Sequence, residues 1–432
     1  MSKVYKNITF AAKIRFSMYY PIKKIILAAI LVCASVGTST AQDITASGFP
    51  LLDQWTKECL NRRSLSLGYP GNNDIRLQEF YQWYTANNIE AMIINNAGDP
   101  FADGDHTLSS LDFERDVIEY FAPKYGFDKS DTWGIVTMSG TDGNNHGIYF
   151  GVNYLKKTTG KMPVVYVSDE AHYSNYRLCD LQNLDVRLVK SDPMGRMIAD
   201  SLEAVLDTAR PCLIIYAMGS TLKGAIDNQK ELNAVLTRHK GMAVYRHVDA
   251  ALFGGYLPFT PYKNMVNRRY QGFESISVSG HKFFGIDSPC GLFITTRTIY
   301  DNQTTFDIPY LNANMRMISC SRSGIEPLKF WWLIKTIGDK GWNEQAQKLL
   351  KNTEYLKQEL NRIGWPCWNN DYSNTVLLRR PSDAVVRKYN LACGEDAAFG
   401  GKVSHVVVMQ HVTKQSIDQL IADLEKEAGK NN

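Results

Sequence analysis

Between about residue 130 and residue 296, short apolar segments alternate with helix-like or turn-rich segments. The apolar segments are rich in β-branched residues, and several lack polar alternation, which is typical of strands buried on both faces. Seven such segments predict an α/β fold, in which a mostly parallel sheet is covered by helices on both faces. The predicted strands are Trp133–Met138, Val164–Val167, Val186–Val189, Leu213–Met218, Val244–Val248, Ile276–Val278 and Leu292–Thr295.

The flanking sequence predicts helices before and after this sheet. Asp112–Tyr125 has helical periodicity, and Pro327–Ile363 predicts one long helix or two. Near the end of the chain, Ser404–Met409 predicts a strand and Lys414–Lys426 an amphipathic helix. These patterns divide the chain into an N-terminal segment, a large domain and a smaller C-terminal α+β domain, predicted at residues 42–110, 111–296 and 297–432.

The first residues have the pattern of a signal peptide. Lys23 and Lys24 precede an apolar run, Ile25–Gly37, and Ser39-Thr40-Ala41 offers a small-x-small cleavage site. The run is short for a membrane-spanning helix, so we expect cleavage after Ala41 and no stable membrane insertion afterwards. Residues 1–41 are therefore a predicted signal peptide of a periplasmic or secreted protein. An uncleaved anchor and a cytoplasmic protein are the alternatives.

Charge and cysteine content exclude several classes of function. The net charge of +4 comes from six basic residues within the first 41, without which 42 basic side chains face 44 acidic ones. This balance gives no electrostatic footprint for nucleic acid. The eight cysteines are scattered without a Cys-x-x-Cys pair, so neither a disulfide framework nor a metal site is expected.

Polar clusters follow several predicted strands, where the ligands of open α/β sheets bind. Ser139–Asn144 comes after the first strand and precedes a helix predicted to start near Asn145. Its small residues, including Gly140 and Thr141, would let the backbone approach a phosphate at the helix N-terminus. An ordinary glycine-rich turn is the alternative.

Two further clusters contain groups that could contact a planar ligand. His172 follows the second strand and could stack on a ring, or it could be a hydrogen-bonded turn residue. Asp249 ends a strand and is followed by Ala250 and Ala251, so its carboxylate could face a cationic ring nitrogen, or it could cap a helix.

The last cluster, Ser277–Lys282, also follows a strand and ends in His281 and Lys282. A lysine in a pocket can be a nucleophilic amine, whereas most single lysines are solvated surface residues. Together the clusters supply a phosphate cradle, a ring-stacking group, an acid and a Schiff-base lysine. A pyridoxal phosphate (PLP) site requires these four elements.

This set of residues, in this order, resembles the fold-type I PLP-dependent transferase fold and, more narrowly, the group II amino-acid decarboxylases. It is similar to bacterial PLP-dependent histidine decarboxylases and plant serine decarboxylases. The resemblance runs from about Gly68 to Asp423. Its most specific segments are NNAGDPF (95–101), SGTDGNNHG (139–147), GSTLKGAID (219–227), HVDAALFGGYLPF (247–259), SISVSGHKFFG (275–285), SPCG (288–291) and SRSG (321–324).

The resemblance implies a role for each matching residue. Lys282 would bind the cofactor covalently, Asp249 would face the pyridine nitrogen, and His172 would stack on the ring with Ala251 on the opposite face. The remaining implied cofactor-binding residues are Ser139, Gly140, Thr141, Ser279 and His281 on the phosphate side, with Asn144 and Thr221 near the cofactor.

The resemblance also implies a reaction and an assembly. The expected reaction releases carbon dioxide from an L-amino acid, with histidine to histamine preferred, in at least a homodimer. A tyrosine between Arg297 and Arg322 would protonate Cα, and Tyr310 is preferred to Tyr300 for its spacing from Arg322.

The chain departs from the family pattern in three places, which leaves serine or another amino acid open as substrate. They are Met315–Cys320, Asp287 and the line GNNDIRL after Pro70. Another PLP reaction, such as transamination, and a non-catalytic protein with this fold are the remaining alternatives.

Overall fold

The computed structural model describes residues 45–102, 108–308 and 313–429. The predicted signal peptide and Tyr310 lie outside these ranges. The chain divides between Leu60 and Asn61 into two compact units, and the sheets and the site described below belong to the second. The predicted domain boundaries at residues 110 and 296 stay predictions.

The strands are numbered here in chain order. They are β1 (Asn95–Asn96), β2 (Thr132–Thr137), β3 (Val164–Ser168), β4 (Asp185–Val189), β5 (Cys212–Ala217), β6 (Val244–Asp249), β7 (Ser275–Ser279), β8 (Gly291–Thr296), β9 (Phe306–Ile308), β10 (Ala313–Met315), β11 (Arg322–Ser323), β12 (Cys367–Asn369), β13 (Thr375–Arg379), β14 (Ala392–Asp396) and β15 (Gly401–Val407).

The helices are numbered in the same way. They are α1 (Pro50–Arg62), α2 (Gln78–Ala86), α3 (Leu111–Phe121), α4 (Gly140–Thr159), α5 (Tyr173–Leu181), α6 (Ala199–Val205), α7 (Gln229–Arg238), α8 (Phe253–Tyr256), α9 (Arg268–Gln271), α10 (Arg297–Asp301), α11 (Ile325–Thr336), α12 (Gly338–Arg362), α13 (Asp383–Tyr389) and α14 (Lys414–Ala428). Among the described residues, none of these helices has the length and apolar character needed to cross a bilayer.

The predicted α/β fold with a mostly parallel sheet is confirmed. The main sheet of the described chain has the order β2-β8-β7-β6-β5-β3-β4, and every predicted strand is present. Only β8 runs against its neighbours, pairing antiparallel with both β2 and β7. The other pairs in the sheet are parallel, which places the carboxyl ends of six strands on one edge.

The central strands are buried on both faces, which explains their lack of polar alternation. On β3, Val164 and Tyr166 belong to one hydrophobic cluster, whereas Val165 and Val167 belong to another. Successive side chains of a strand point to opposite faces, so both faces of this sheet are covered. A strand in this position has no solvated face to occupy with polar residues.

Helix α4 begins earlier than the sequence predicted. Its first residue is Gly140, not a residue near Asn145, because the Ser139 hydroxyl caps the helix by accepting a hydrogen bond from the Asp142 backbone N–H at 3.1 Å. The polar cluster therefore forms the first turn of the helix instead of a loop before it. This first turn points at the carboxyl edge of the sheet.

Glycines let α4 pack closely on the sheet. A Cβ atom at Gly143 would lie 2.2 Å from the Ser277 hydroxyl, and one at Gly147 would lie 2.3 Å from the His247 ring. Larger residues at these positions would push the helix away from β6 and β7. The glycines therefore set the distance between the helix N-terminus and the ends of those strands.

The C-terminal region contains a second, antiparallel sheet of order β12-β13-β15-β14. The stretch predicted as one helix or two is two, α11 and α12, because the chain turns at Gly338 with a φ of +59°. A left-handed conformation of this kind favours glycine and ends regular helix. The expected smaller α+β region is thus present.

Candidate active site

A cavity of about 510 Å³ opens at the carboxyl edge of the main sheet. It is lined by every predicted site residue that the structure describes. These residues are Ser139, Gly140, Thr141, Asn144, His172, Thr221, Asp249, Ala251, Ser279, His281 and Lys282. They come from five separate segments of sequence, and the parallel strands bring them together.

The first turn of α4 forms one end of the cavity and is built for close approach. A Cβ atom at Gly140 would lie only 2.4 Å from the Ser279 hydroxyl, so no larger residue fits there without a shift. Backbone N–H groups and the hydroxyls of Ser139, Thr141 and Ser279 surround this turn. A helix N-terminus of this composition is suited to an anion such as phosphate.

Asp249 ends β6 and lies almost buried, with 8% of its surface exposed. The Asn175 amide donates a hydrogen bond to its Oδ2 atom at 3.0 Å. Its Oδ1 atom has a longer contact, 3.4 Å, from the backbone N–H of Ala251. One carboxylate oxygen is thus held from behind, and the residue lines the cavity.

Lys282 follows β7, lines the same cavity and interacts electrostatically with this acid. Burial lowers the pKa of Lys282, and the attraction of Asp249 opposes that effect only in part. A lowered pKa increases the fraction of neutral amine, which is the nucleophilic form. The environment therefore favours a reactive lysine over a solvated one.

His172 caps helix α5 with its ring. Its Nδ1 atom accepts a hydrogen bond from the Ser174 backbone N–H at 3.3 Å, which leaves the proton of the neutral ring on Nε2. Burial lowers the pKa of His172, Asp249 raises it, and Lys282 lowers it further. The net lowering favours a neutral imidazole, which can pack flat on an aromatic ligand.

His281 lies between Lys282 and strand β8. Its Nδ1 atom lies 3.1 Å from the Cys290 carbonyl oxygen and 3.3 Å from the Cys290 backbone nitrogen, so the other ring nitrogen is left for the cavity. Burial lowers the pKa of His281, and the charge of Lys282 lowers it further. The lowered pKa favours a neutral His281 ring at the cavity.

Asn144 is anchored behind the cavity instead of standing free in it. Its Oδ1 atom accepts a hydrogen bond from His247 Nε2 at 3.0 Å, and the other ring nitrogen of His247 contacts the Ser275 hydroxyl at 2.8 Å. His247 is fully buried, and burial lowers its pKa to about 4. This chain of polar groups fixes α4 against β6 and β7.

The sequence analysis missed the opposite wall of the cavity. That wall includes residues of the C-terminal sheet and of the segment before α2, namely Gly68, Tyr69, Pro70, Thr375, Ala392, His405 and Val407. His405 joins two of these regions, since its ring nitrogens lie 2.9 Å from the Gly68 carbonyl oxygen and 2.8 Å from that of Leu222. No local pattern in the sequence marks these residues as site residues.

Two departures from the family pattern have structural partners outside the cavity. Asp287 contacts Lys329 Nζ at 2.7 Å and accepts a hydrogen bond from the Tyr81 hydroxyl at 2.5 Å. In the segment Met315–Cys320, the Ser319 hydroxyl donates a hydrogen bond to Asp142 Oδ1 at 3.1 Å. Neither Asp287 nor Ser319 lines the cavity, so these positions act on local structure.

Comparison with known proteins identifies the family. Residues 151–364 match the Pyridoxal-dependent decarboxylase conserved domain. The chain is 33% identical to a histidine decarboxylase of Pseudomonas entomophila (strain L48), over 86% of this chain and 89% of that protein. This chain belongs to the pyridoxal-dependent decarboxylases. It is also 32% identical to serine decarboxylase 1 of Oryza sativa subsp. japonica, over 87% of this chain and 74% of that protein.

Solved structures agree with this decarboxylase fold. L-methionine decarboxylase from Streptomyces sp. 590 superposes with a TM-score of 0.75 at 21% identity, over 87% of this chain and 94% of that chain. A glutamate decarboxylase of Lactobacillus brevis superposes with a TM-score of 0.72 at 17% identity, over 91% of this chain and 95% of that one. The expected family, fold and cofactor are therefore confirmed.

The cavity fits PLP, the cofactor of this decarboxylase family. The close approach at Gly140 and the hydroxyls around it suit a phosphate group. The Asp249 carboxylate, of which one oxygen is bonded to Asn175, suits a protonated ring nitrogen. The amine of Lys282 suits an aldehyde. These features lie at different points around one cavity, as the separated groups of one PLP molecule require.

Proposed function

We propose that this decarboxylase acts on a small L-amino acid, with L-histidine preferred and histamine as its product. The observation that carries the proposal is the convergence of Lys282, Asp249 and His172 on one cavity beside a phosphate-binding helix. Histidine is preferred because histidine decarboxylases of several bacteria are 30–33% identical over most of the chain. Serine is the second candidate, because serine decarboxylases of rice are equally similar.

Bound PLP supplies an electron sink for the electron pair that stays on Cα when carbon dioxide leaves. Asp249 would hold a proton on the pyridine nitrogen, because a carboxylate beside a cation favours the charged pair. Lys282 would hold the cofactor covalently through its neutral amine and exchange places with the substrate amine.

The other residues would orient the ring and exclude water from it. His172 would pack on one face of the pyridine ring and Ala251 on the other. The phosphate would be held by the first turn of α4 and by the residues after β7, that is, by Ser139, Gly140, Thr141, Ser279 and His281. Thr221 and the anchored Asn144 would contact the cofactor from the sides.

The group that returns a proton to Cα would be Tyr310, which lies outside the described residues. Tyr300, the other tyrosine of this stretch, is 1% exposed and its ring stacks on Trp133 with centroids 4.0 Å apart. A ring held in the hydrophobic core in this way has no path to a substrate in the cavity. The burial of Tyr300 therefore supports Tyr310.

The proposal is tested by the visible absorbance of the PLP-bound protein and by the release of carbon dioxide from a panel of L-amino acids. We expect a visible PLP band that changes on addition of L-histidine, together with carbon dioxide and histamine. Lys282→Ala should lack the band of the lysine-bound cofactor. The same panel should include L-serine, for which ethanolamine is the expected product.

Each alternative gives a different result. Release of carbon dioxide from serine but not from histidine would identify serine as the substrate. Keto-acid formation without carbon dioxide would indicate transamination and contradict the proposed reaction. A protein that binds PLP but changes no amino acid would indicate a non-catalytic member of the fold.

We also propose a homodimer with the site near the subunit boundary. This assembly is expected from the resemblance to the group II amino-acid decarboxylases. Light scattering of the purified protein should give twice the monomer mass, and a fully active monomer would contradict the proposal.

Export to the periplasm or the exterior is proposed from the predicted signal peptide alone. The basic pair Lys23-Lys24 and the apolar run after it support this proposal. Mass spectrometry of the protein from its native cells should find a chain that begins after Ala41. A cytoplasmic protein with an intact N-terminus would contradict it.

A further inference from the structure

Asn175 lies behind Asp249 on the first turn of α5, the helix that His172 caps. Its side chain is 1% exposed, and it is not among the residues that line the cavity. Its Nδ2 atom donates to Asp249 Oδ2 at 3.0 Å. The amide therefore contacts the side of the carboxylate that faces away from the cavity.

The amide of Asn175 has one side-chain hydrogen bond within the described chain. Its Oδ1 atom is buried and has no hydrogen-bond partner there. The opposite orientation would bring Oδ1 against the carboxylate oxygen of Asp249 and place two acceptors in contact. A buried acceptor without a partner costs stability, so the contribution of this amide lies in its contact with Asp249.

We propose that Asn175 is a positioning residue that holds the Asp249 carboxylate in the orientation needed for the pyridine nitrogen of PLP. A hydrogen bond to a carboxylate is stronger than one to a neutral group and favours the charged form. With Oδ2 held, Oδ1 is the oxygen left to face the cofactor. This inference rests on the proposed role of Asp249.

The position of Asn175 also links two cofactor contacts. His172 and Asn175 are three residues apart around the start of one helix, so one short segment supports both the ring-stacking imidazole and the carboxylate. A displacement of this turn would move both groups together. The start of this helix therefore holds the His172 ring and the Asp249 carboxylate in a fixed relation to each other.

The test replaces Asn175 with leucine, which has nearly the same shape but no donor. We expect Asn175→Leu to bind PLP roughly 10- to 100-fold more weakly, the loss expected for one hydrogen bond to a charged group. The melting temperature of the PLP-free protein should fall modestly, because the buried Asp249 carboxylate loses its hydrogen-bond donor. Both quantities are measured without substrate, so the identity of the amino acid does not affect them.

The matched control is Asn352→Leu. Asn352 is also buried and donates to the Val412 carbonyl at 2.9 Å, but it is not among the residues that line the cavity. This variant should lower the melting temperature of the PLP-free protein and leave PLP affinity unchanged. Both leucine variants should therefore lower the melting temperature, but only Asn175→Leu should weaken PLP binding.

A second variant, Asn175→Asp, gives a pH signature that a purely structural role would not give. Two carboxyl groups in contact share one proton at low pH, and that proton can replace the amide hydrogen. PLP affinity should therefore approach the wild-type value at low pH and fall as both groups ionise. His172 and Lys282 titrate in both proteins, so the comparison is made against the wild-type pH profile.

Unchanged PLP affinity and an unchanged absorbance band in Asn175→Leu would overturn the inference. Asp249→Ala separates this failure from a failure of the proposed function. If Asp249→Ala loses PLP affinity while Asn175→Leu does not, the role of Asn175 alone is wrong. If neither variant changes affinity, the role of Asp249 is wrong and the inference fails with it.

Discussion

Arg322 and Glu114 form a buried ion pair with two contacts. Arg322 Nη2 lies 2.9 Å from Glu114 Oε2, and Nε lies 3.2 Å from Oε1. Glu114 Oε1 also accepts a hydrogen bond from the Val136 backbone N–H at 2.8 Å. The pair joins helix α3, strand β2 and strand β11, so the SRSG segment has a structural role in the core.

Removing one partner of this pair should strongly destabilise the protein. We expect Arg322→Met to lower the free energy of unfolding by about 3–5 kcal/mol, because it leaves the Glu114 charge buried and unpaired. Urea unfolding of the PLP-free protein measures the change. The double variant Glu114→Leu with Arg322→Met should lose less than the single variant. An equal or larger loss would show that the ion pair is not the cause.

A methyl group at Gly147 should separate α4 from the sheet. Its Cβ would lie 2.3 Å from the His247 ring, so Gly147→Ala should cost about 1–3 kcal/mol of unfolding free energy through overpacking. Gly71→Ala is the matched control, because nothing lies within 4 Å of the added carbon and Gly71 is not in a left-handed conformation. Equal stability of the two variants would contradict the packing argument.

Acidification should destabilise the PLP-free protein through His247. Burial lowers its pKa to about 4 from the ordinary 6.5. Between these values the unfolded chain binds a proton that the folded chain does not, so stability falls as the pH drops through this window and levels off below it. Burial of His405 acts in the same direction, whereas Asp227, whose pKa burial raises to about 6, opposes it.

The measurement for this prediction is the melting temperature between pH 7 and pH 4 for wild type and His247→Gln. The glutamine variant lacks the titrating ring, and its curve should be flatter over that range. The slope is compared instead of the absolute stability, because the substitution itself can change the latter. Parallel curves would mean that His247 does not control the response.

Tyr310→Phe should separate protonation of Cα from cofactor binding. We expect it to keep the PLP absorbance band and to lower kcat roughly 100-fold or more, the usual effect of losing a general acid. Tyr300→Phe is the matched control, since the Tyr300 ring is buried and stacked on Trp133. It should leave kcat unchanged. The reverse pattern would make Tyr300 the proton donor.

The large sheet can be predicted from the sequence because each of its strands has a local hydrophobic pattern. A strand such as Cys212–Ala217 is buried throughout, so its sequence is a continuous apolar run with a polar turn after it. The residues just after such runs meet at one edge of the sheet whatever the connections between them. That rule places Lys282, Asp249 and His172 near one another from the sequence alone.

The rest of the cavity could not be predicted because it depends on long-range contacts. Asn175 is an ordinary helical residue in sequence, and only the position of β6 beside α5 brings it to Asp249. His405 lies on a strand of the other sheet, with no neighbouring motif. The sequence predicts a start of α4 near Asn145, which is later than the observed start at Gly140. The reason is that the glycine-rich segment after Ser139 is more typical of a loop, although Ser139 caps the helix.

The bridge from His405 to Gly68 joins residues 337 positions apart. A ribosome makes the chain from its N-terminus, so His405 is synthesised long after Gly68 and near the end of translation. The strands that carry Asp249 and Lys282 are complete long before then. Loop closure over this distance therefore comes at the end of folding, and the finished cavity is available to a cofactor only after the whole chain has been released.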